Sequence, residues 1–315
     1  MNKPILDADT QQLLAELAAA EGPSFDDMTV PERRLGLEAM FLETGAQAPT
    51  VAVREFQLPS RQGVPIHGLA LQPDGEADAP LPVLFMMQGG GWALSGARPY
   101  VPLGALLANA LGRLVVLVDF RLAPEHKFPA GLDDCTDTYA WLRENAGQLG
   151  GDPDNIALFG DSAGGNLAAA VALRCARAGE RLPEALVLAY PMIDVRIGAD
   201  RRYPSRQMYG GGDYFLTEAS VQAATLDYLE FEGLRDHPLV SLAGNPDLAK
   251  LPKTVLVLPG LDPLRDEGLA FADRLEAEGV EVHCRVFEGT IHAFLSLFHR
   301  IAMARDAVAF IRSRL

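Results

Sequence analysis

The chain has 315 residues, 49% apolar and 22% charged, which is enough apolar side chain for a sizeable core and too little charge for a disordered polymer. With 27 Lys and Arg against 42 Asp and Glu, the net charge of -15 repels polyphosphates and anionic lipid surfaces, so nucleic acid is not an expected partner. Cys135, Cys175 and Cys284 lack the paired spacing of a zinc site or disulfide scaffold and read as small core residues of a reducing compartment, with the cytoplasm as the expected location.

The N-terminus reaches Asp7 and Asp9 before any long apolar run, so it does not read as a secretory signal. No stretch approaches membrane-spanning length, and no stable membrane insertion is expected. Helices are expected over 10–21 and 31–43, the second opened by Thr29 as cap with Pro31 in its first turn. Residues 51–58 and 64–71 flank the turn Ser60-Arg61-Gln62-Gly63 as a hairpin. Six parallel strands are expected to follow, at 83–87, 114–119, 155–159, 185–190, 254–258 and 280–287, with helical stretches in most gaps, an α/β pattern in one body plus a cap.

The 83–87 strand empties into Gln88-Gly89-Gly90-Gly91-Trp92. Three glycines at a strand end permit close backbone approach, and their N–H groups can point at a substrate carbonyl, where one such donor contributes ~3 kcal/mol in the transition state. Asp133 and Asp134, at the front of a helix expected over 130–145, read as acids near a helix N-terminus and not as a metal pair. No metal site and no cofactor is expected.

Residues 155–170 then join a short apolar strand to a small-residue helix through Gly160-Asp161-Ser162-Ala163-Gly164. Gly-x-Ser-x-Gly in that setting is a nucleophile elbow, a turn so sharp that the positions two before and two after the serine have no room for a side chain. The Ser162 hydroxyl should stand at the helix N-terminus, where the free N–H of Ala163 and the helix end favour negative charge on a bound carbonyl. The plainer alternative is an N-cap serine after a glycine turn, which the flanking strand and helix disfavour. Asp161 reads as an anchor for the elbow backbone, not a proton carrier.

The interval 191–253 is longer than a strand-helix-strand crossover requires, so part of it is expected to leave the sheet and cover the site. Its centre mixes Tyr203, Met208, Tyr209, Tyr214 and Phe215 with Gly210-Gly211-Gly212. That composition suits a mobile apolar lid, and equally an aromatic patch that packs the connection onto the body.

An elbow demands an acid and then a base later in the chain. The 254–258 strand runs into Pro259-Gly260-Leu261-Asp262-Pro263, which puts Asp262 just past the carboxyl edge of the sheet, where ligand chemistry in open α/β folds sits. The 280–287 strand leads to Glu288-Gly289-Thr290-Ile291-His292-Ala293-Phe294 and puts His292 in the same position. Singly, an aspartate before proline reads as a turn residue and a lone histidine as structural; order and placement together make them the acid and the base. His67, His126, His237, His283 and His299 have no comparable surroundings. A final helix over 298–314 could pack on the body or on a second copy, which leaves a homodimer open.

Four motifs now stand together: Gly89-Gly90-Gly91-Trp92, Phe120-Arg121-Leu122-Ala123-Pro124-Glu125, Gly160 to Gly165, and the Asp262-Pro263-Leu264 and His292-Ala293-Phe294 loops. In these the chain resembles the bacterial hormone-sensitive-lipase family of α/β-hydrolase esterases, along residues 80–315. The resemblance implies an α/β-hydrolase fold: a mostly parallel eight-stranded sheet, helices on both faces and a helical cap. It assigns 1–50 and 193–235 to the cap and 51–192 and 236–315 to the catalytic core. It implies Ser162 as nucleophile, His292 as general base, Asp262 as its orienter, and Gly90, Gly91 and Ala163 as oxyanion donors. The implied substrate is a small ester of short to medium chain length.

Two departures stand out. Gln88 occupies the place of the family's usual histidine; its amide can brace neighbouring backbone through a donor and an acceptor, without the ring's rigidity or its titration near neutral pH. Phe120 replaces the common tyrosine and removes one hydroxyl. The nearer rival reading is an amidase or deacetylase using the same triad on a specialised small molecule. The remoter one is a small-molecule receptor on the same scaffold, which the presence of Asp262 and His292 disfavours.

Overall fold

The protein is described by a computed structural model covering residues 5–20, 22–43, 47–75 and 79–315; the first four residues and the expected helix end at Glu21 lie outside the described residues. Eight strands form one sheet in the order β1-β2-β4-β3-β5-β6-β7-β8. They are β1 (Ala52–Pro59), β2 (Pro65–Gln72), β3 (Leu81–Met87), β4 (Leu114–Val118), β5 (Gly151–Asp161), β6 (Leu186–Ala189), β7 (Thr254–Leu261) and β8 (Val282–Ile291). β1 and β2 pair as the antiparallel hairpin and β2 runs antiparallel to β4, while β4, β3, β5, β6, β7 and β8 are parallel.

β3, β4 and β6 are apolar at every position, and β5 is so from Ile156 to Phe159, because both faces are covered there. In β3, Val83, Phe85 and Met87 join one core and Leu84 and Met86 the other. The first core takes α4 (Ala130–Asn145), α5 (Ala163–Ala178) and α9 (Arg265–Ala277), through Leu132, Leu167 and Phe271. The second takes α3 (Val101–Leu111) and α10 (Met303–Arg312), through Leu107 and Ile311. It also receives the two N-terminal helices, α1 (Ala8–Ala19) and α2 (Val30–Glu43), through Leu13, Leu37 and Phe41.

Several boundaries differ from the sequence expectation for physical reasons. α1 starts earlier because the Asp7 side chain caps it, accepting from the N–H groups of Asp9 and Thr10. At α2, Thr29 donates through N and Oγ1 to Glu32 Oε2, at 2.8 and 2.6 Å. The final helix begins at Met303, not at 298: the apolar run Phe294, Leu295, Leu297, Phe298 and Ile301 is buried as consecutive turns that start from Ala293 at φ 64°. Asp133 and Asp134 do more than lie near a helix start. Asp134 accepts from the N, Nε and Nη2 of Arg121, and Asp133 pairs with Arg174.

Between β6 and β7 the chain leaves the sheet and forms α6 (Ala199–Arg202), α7 (Pro204–Tyr209) and α8 (Glu218–Tyr228). α8 meets the N-terminal segment, with Thr217 Oγ1 donating to Asp26 Oδ2 at 2.7 Å and Arg33 pairing with Asp227. Its C-terminal end is fastened by Lys127, whose Nζ donates to the carbonyls of Leu226, Asp227 and Leu229. No described helix is long and apolar enough to cross a membrane.

Candidate active site

β5 ends at Asp161, α5 begins at Ala163, and Ser162 between them sits at φ 52°, ψ −121°, a strained geometry for a residue with a side chain. The neighbours explain the glycines. A Cβ at Gly160 would meet the Gly164 carbonyl oxygen at 2.1 Å, and one at Gly164 would meet the Met87 carbonyl oxygen at 2.0 Å, so backbone occupies the space at both positions. The serine's own backbone is tied on each side, its N–H donating to Ala189 O and its carbonyl accepting from Met192 N.

The strands that lead to Asp262 and His292 run further than their apolar stretches, β7 to Leu261 and β8 to Ile291, so each residue follows a strand end directly. The structure brings these two residues to Ser162. His292 Nδ1 lies 2.7 Å from Asp262 Oδ2 and His292 Nε2 lies 3.0 Å from Ser162 Oγ. A carboxylate only accepts, so the proton of the pair belongs on Nδ1, which leaves the Nε2 lone pair facing the serine hydroxyl. Asp262 is fully buried, and its other oxygen accepts from Leu264 N at 2.8 Å. Ser162 keeps 8% of its surface exposed.

On the other side of the serine lies the glycine loop. Gly89 N donates to Asp161 Oδ1 at 2.8 Å and to Tyr100 Oη at 3.1 Å, and Tyr100 Oη donates to Asp161 Oδ2 at 2.9 Å, a closed triangle of buried groups. Burial raises the Asp161 carboxyl to about 6, against the lowering pull of these two donors. Asp161 thus ties the peptide beside Ser162 to the peptide beside Gly90. Gly90 and Gly91 take φ of 98° and 59°, open only to glycine without strain, and Trp92 follows at φ 59°. The N–H groups of Gly90, Gly91 and Ala163 make no hydrogen bond to another described residue. Gln88 is fully buried, with Nε2 donating to Val118 O at 2.9 Å and Oε1 without a partner among the described residues.

Four contributors, Tyr190, Tyr228, Leu37 and Ala224, escaped the motif reading. Tyr190, seen in sequence only as the end of a strand, sits at φ 38° and sets its ring edge-on to the His292 imidazole, with centroids 4.8 Å apart. Trp92 stacks on Tyr228 of α8 at 4.2 Å and 3°. Leu37 of α2 and Ala224 of α8 stand over Gly90 and Gly91, at 3.4 and 2.8 Å from where a Cβ would lie. Among the described residues, no group of three or more His, Cys, Asp or Glu is placed to hold a metal ion.

Residues 84–296 match the family model of the alpha/beta hydrolase fold. The chain is 36% identical over 231 residues to the carboxylesterase NlhH of Mycobacterium tuberculosis, covering 72% of this chain and 70% of that one. It is 37% identical over 213 residues to an arylesterase of Saccharolobus solfataricus, covering 68% of each. Among solved structures, an ester hydrolase from the metagenome of Lake Arreo superposes with a TM-score of 0.91 at 32% identity, covering 98% of both chains.

Proposed function

The chain belongs to the α/β-hydrolase-fold family of hormone-sensitive-lipase-like esterases and is a carboxylesterase-class hydrolase, and from that premise we propose that Ser162, His292 and Asp262 carry ester hydrolysis through an acyl-enzyme. The observation that carries the reading is the continuous line from Ser162 Oγ through the imidazole to Asp262, with contacts of 3.0 and 2.7 Å.

In this reading Ser162 Oγ attacks the ester carbonyl carbon while its proton passes to His292 Nε2. The carbonyl electrons collect on oxygen, where the N–H groups of Gly90, Gly91 and Ala163 hold them; each such donor is worth ~3 kcal/mol. Collapse expels the alcohol, which takes the proton from Nε2. Water then attacks the acyl-enzyme with Nε2 again accepting a proton, and the acid leaves as Ser162 is restored. Asp262 holds the imidazole with Nδ1 protonated, and the Tyr190 ring limits its swing. Gln88 braces the glycine loop from behind through Val118. No step needs a metal or an organic cofactor.

We assign residues 1–50 and 193–235 to a cap over the site and 51–192 with 236–315 to the catalytic body. Leu37 and Ala224 above the oxyanion glycines support this, as does Arg34, whose side chain donates to the carbonyls of Ala93 and Ala123 at 2.8 and 2.9 Å. The apolar Leu37 and Ala224 side chains beside Gly90 and Gly91 suit neutral acyl groups of short to medium length. Free cysteines, two of them buried, suit a reducing compartment, and we place the protein in the cytoplasm.

The test is a series of p-nitrophenyl esters of increasing chain length beside matched p-nitroanilides, run on the parent and on Ser162→Ala. Short and medium esters should turn over, anilides should not, and the variant should lose about 10⁴-fold or more. Turnover of anilides alone would make the protein an amidase. Undiminished activity in the variant would remove Ser162 from the mechanism.

A further inference from the structure

The acid loop is fastened from the cap side by buried polar groups with no part in the mechanism above. Ser205 and Arg206 open α7, and neither shows more than 1% of its surface. Ser205 Oγ donates to the carbonyl of Pro263, next to Asp262, at 2.7 Å, and accepts from Asp266 N at 3.1 Å; Ser205 N donates to Asp266 Oδ2 at 2.8 Å. Arg206 donates through Nε and Nη2 to Glu267 Oε2 at 2.8 and 2.6 Å, through Nη2 to the Asp194 carbonyl at 2.7 Å, and through Nη1 to Glu218. The remaining oxygen of Glu267, itself fully buried, accepts from the N–H groups of Ile193 and Asp194 at 2.8 and 3.3 Å.

A buried ion pair is weak evidence for stability, since apolar side chains of similar volume often hold a fold as well; what such a pair does supply is register. Here the register joins three segments. Glu267 lies in the first turn of α9, five positions after Asp262. Ile193 and Asp194 continue the stretch whose Met192 N donates to the Ser162 carbonyl. Arg206 and Ser205 belong to the segment assigned above to the cap. The turn carrying Asp262 is therefore held at Leu264 N by the acid itself and at the Pro263 carbonyl by Ser205.

We propose that Ser205, Arg206 and Glu267 are positioning residues that set the direction of Asp262 toward His292 Nδ1, so that the anchored half of the cap and the acid–base pair form one mechanical unit. This rests on the assignment of Asp262 and His292 above. Arg265 strengthens the unit, donating through Nη1 to Tyr209 Oη at 3.1 Å and to the Gly260 carbonyl at 3.0 Å.

Ser205→Ala and Glu267→Gln test the proposal, with kcat, KM and melting read beside the far-downfield proton resonance of His292 Nδ1. Misplacement of a reacting group by a fraction of an ångström lowers turnover without weakening substrate binding, so kcat should fall about tenfold in Ser205→Ala and about 100-fold in Glu267→Gln, with KM within twofold and the Nδ1 resonance shifted. Parental kcat in folded Ser205→Ala with an unmoved resonance would overturn the proposal. So would a change confined to KM and chain-length preference, which would make α7 only a wall of the pocket. If Glu267→Gln does not fold, Ser205→Ala decides, because it removes a single hydroxyl. A parent without the downfield resonance, or an active Ser162→Ala, would instead sink the underlying triad reading.

Discussion

The two sides of the site are built by opposite means. Around the serine, position comes from side chains that are missing: Gly160 and Gly164 let two backbone segments touch, and no other residue fits where the Met87 carbonyl already sits. Around the acid, position comes from buried polar side chains, Ser205, Arg206 and Glu267, each with its hydrogen-bonding groups engaged. The first kind of construction is backbone against backbone and intolerant of any added atom. The second is spread along the chain and tolerates exchange in size while depending on charge balance. Asp161 is the exception on the glycine side, a buried carboxyl whose two donors tie the elbow to the loop.

Substitution should separate these two modes sharply. Gly164→Ala places a methyl 2.0 Å from a backbone oxygen, and because backbone cannot swing aside the variant should yield no folded, active protein, as expression and ester turnover would reveal. A folded variant with parental turnover would dissolve the contrast. On the acid side, Glu267→Leu takes from the buried Arg206 guanidinium its buried carboxylate, leaving it the Asp194 carbonyl and the partly exposed Glu218, and should cost about 3 kcal/mol in denaturant unfolding, whereas Arg206→Met with Glu267→Leu should recover part of that loss and keep a low kcat. Recovery of kcat in the double variant would mean that the charges position nothing.

Asp161 can be probed through pH. Burial raises its carboxyl from 3.8 to about 6, so as pH rises the unfolded chain gives up this proton before the folded protein does. The stability contribution is thus fully present below the unfolded value and is lost as pH climbs from about 4 to about 6, by about 3 kcal/mol in all. Asn cannot titrate, so the stability of the parent relative to Asp161→Asn should fall between pH 4 and pH 7; a constant difference would place Asp161 in a more solvated setting.

Smaller effects test the edges. Gln88→Ala removes a buried hydrogen bond to Val118 and should lower stability by about 1 kcal/mol, with some loss of turnover; if both are unchanged, the brace reading fails. Gly36 lies exposed in α2 with nothing within 4 Å of where a Cβ would be, so Gly36→Ala should stabilise by about 0.5–1 kcal/mol, the opposite sign to Gly164→Ala. The same substitution with opposite outcomes would show that it is the surroundings of a glycine, not its type, that make the elbow.

The same contrast decides what could be read from sequence. The elbow is legible because the close approach of Gly160 and Gly164 acts within five residues and leaves a short motif, although Met87 on another strand also closes the space at Gly164, and Asp262 and His292 follow from strand order. The sheet was legible because segments buried on both faces, such as β3, β4 and β6, are apolar throughout. Ser205, Arg206 and Glu267 were invisible because their partners Pro263, Glu267 and Ile193 lie 58, 61 and 74 positions away, and an isolated Arg or Glu reads as surface. Tyr190 looked like one more strand residue until its ring met His292. The helix expected from 298 failed because a fully buried apolar run carries no periodicity to tell helix from stacked turns.

The central claim is that Ser162 alone is activated, by an imidazole 3.0 Å away. Reaction with a fluorophosphonate probe followed by peptide mapping measures this directly: one equivalent should be incorporated, on the peptide containing Ser162, and none in Ser162→Ala. Absence of labelling in the parent, or a label on another residue, would contradict it.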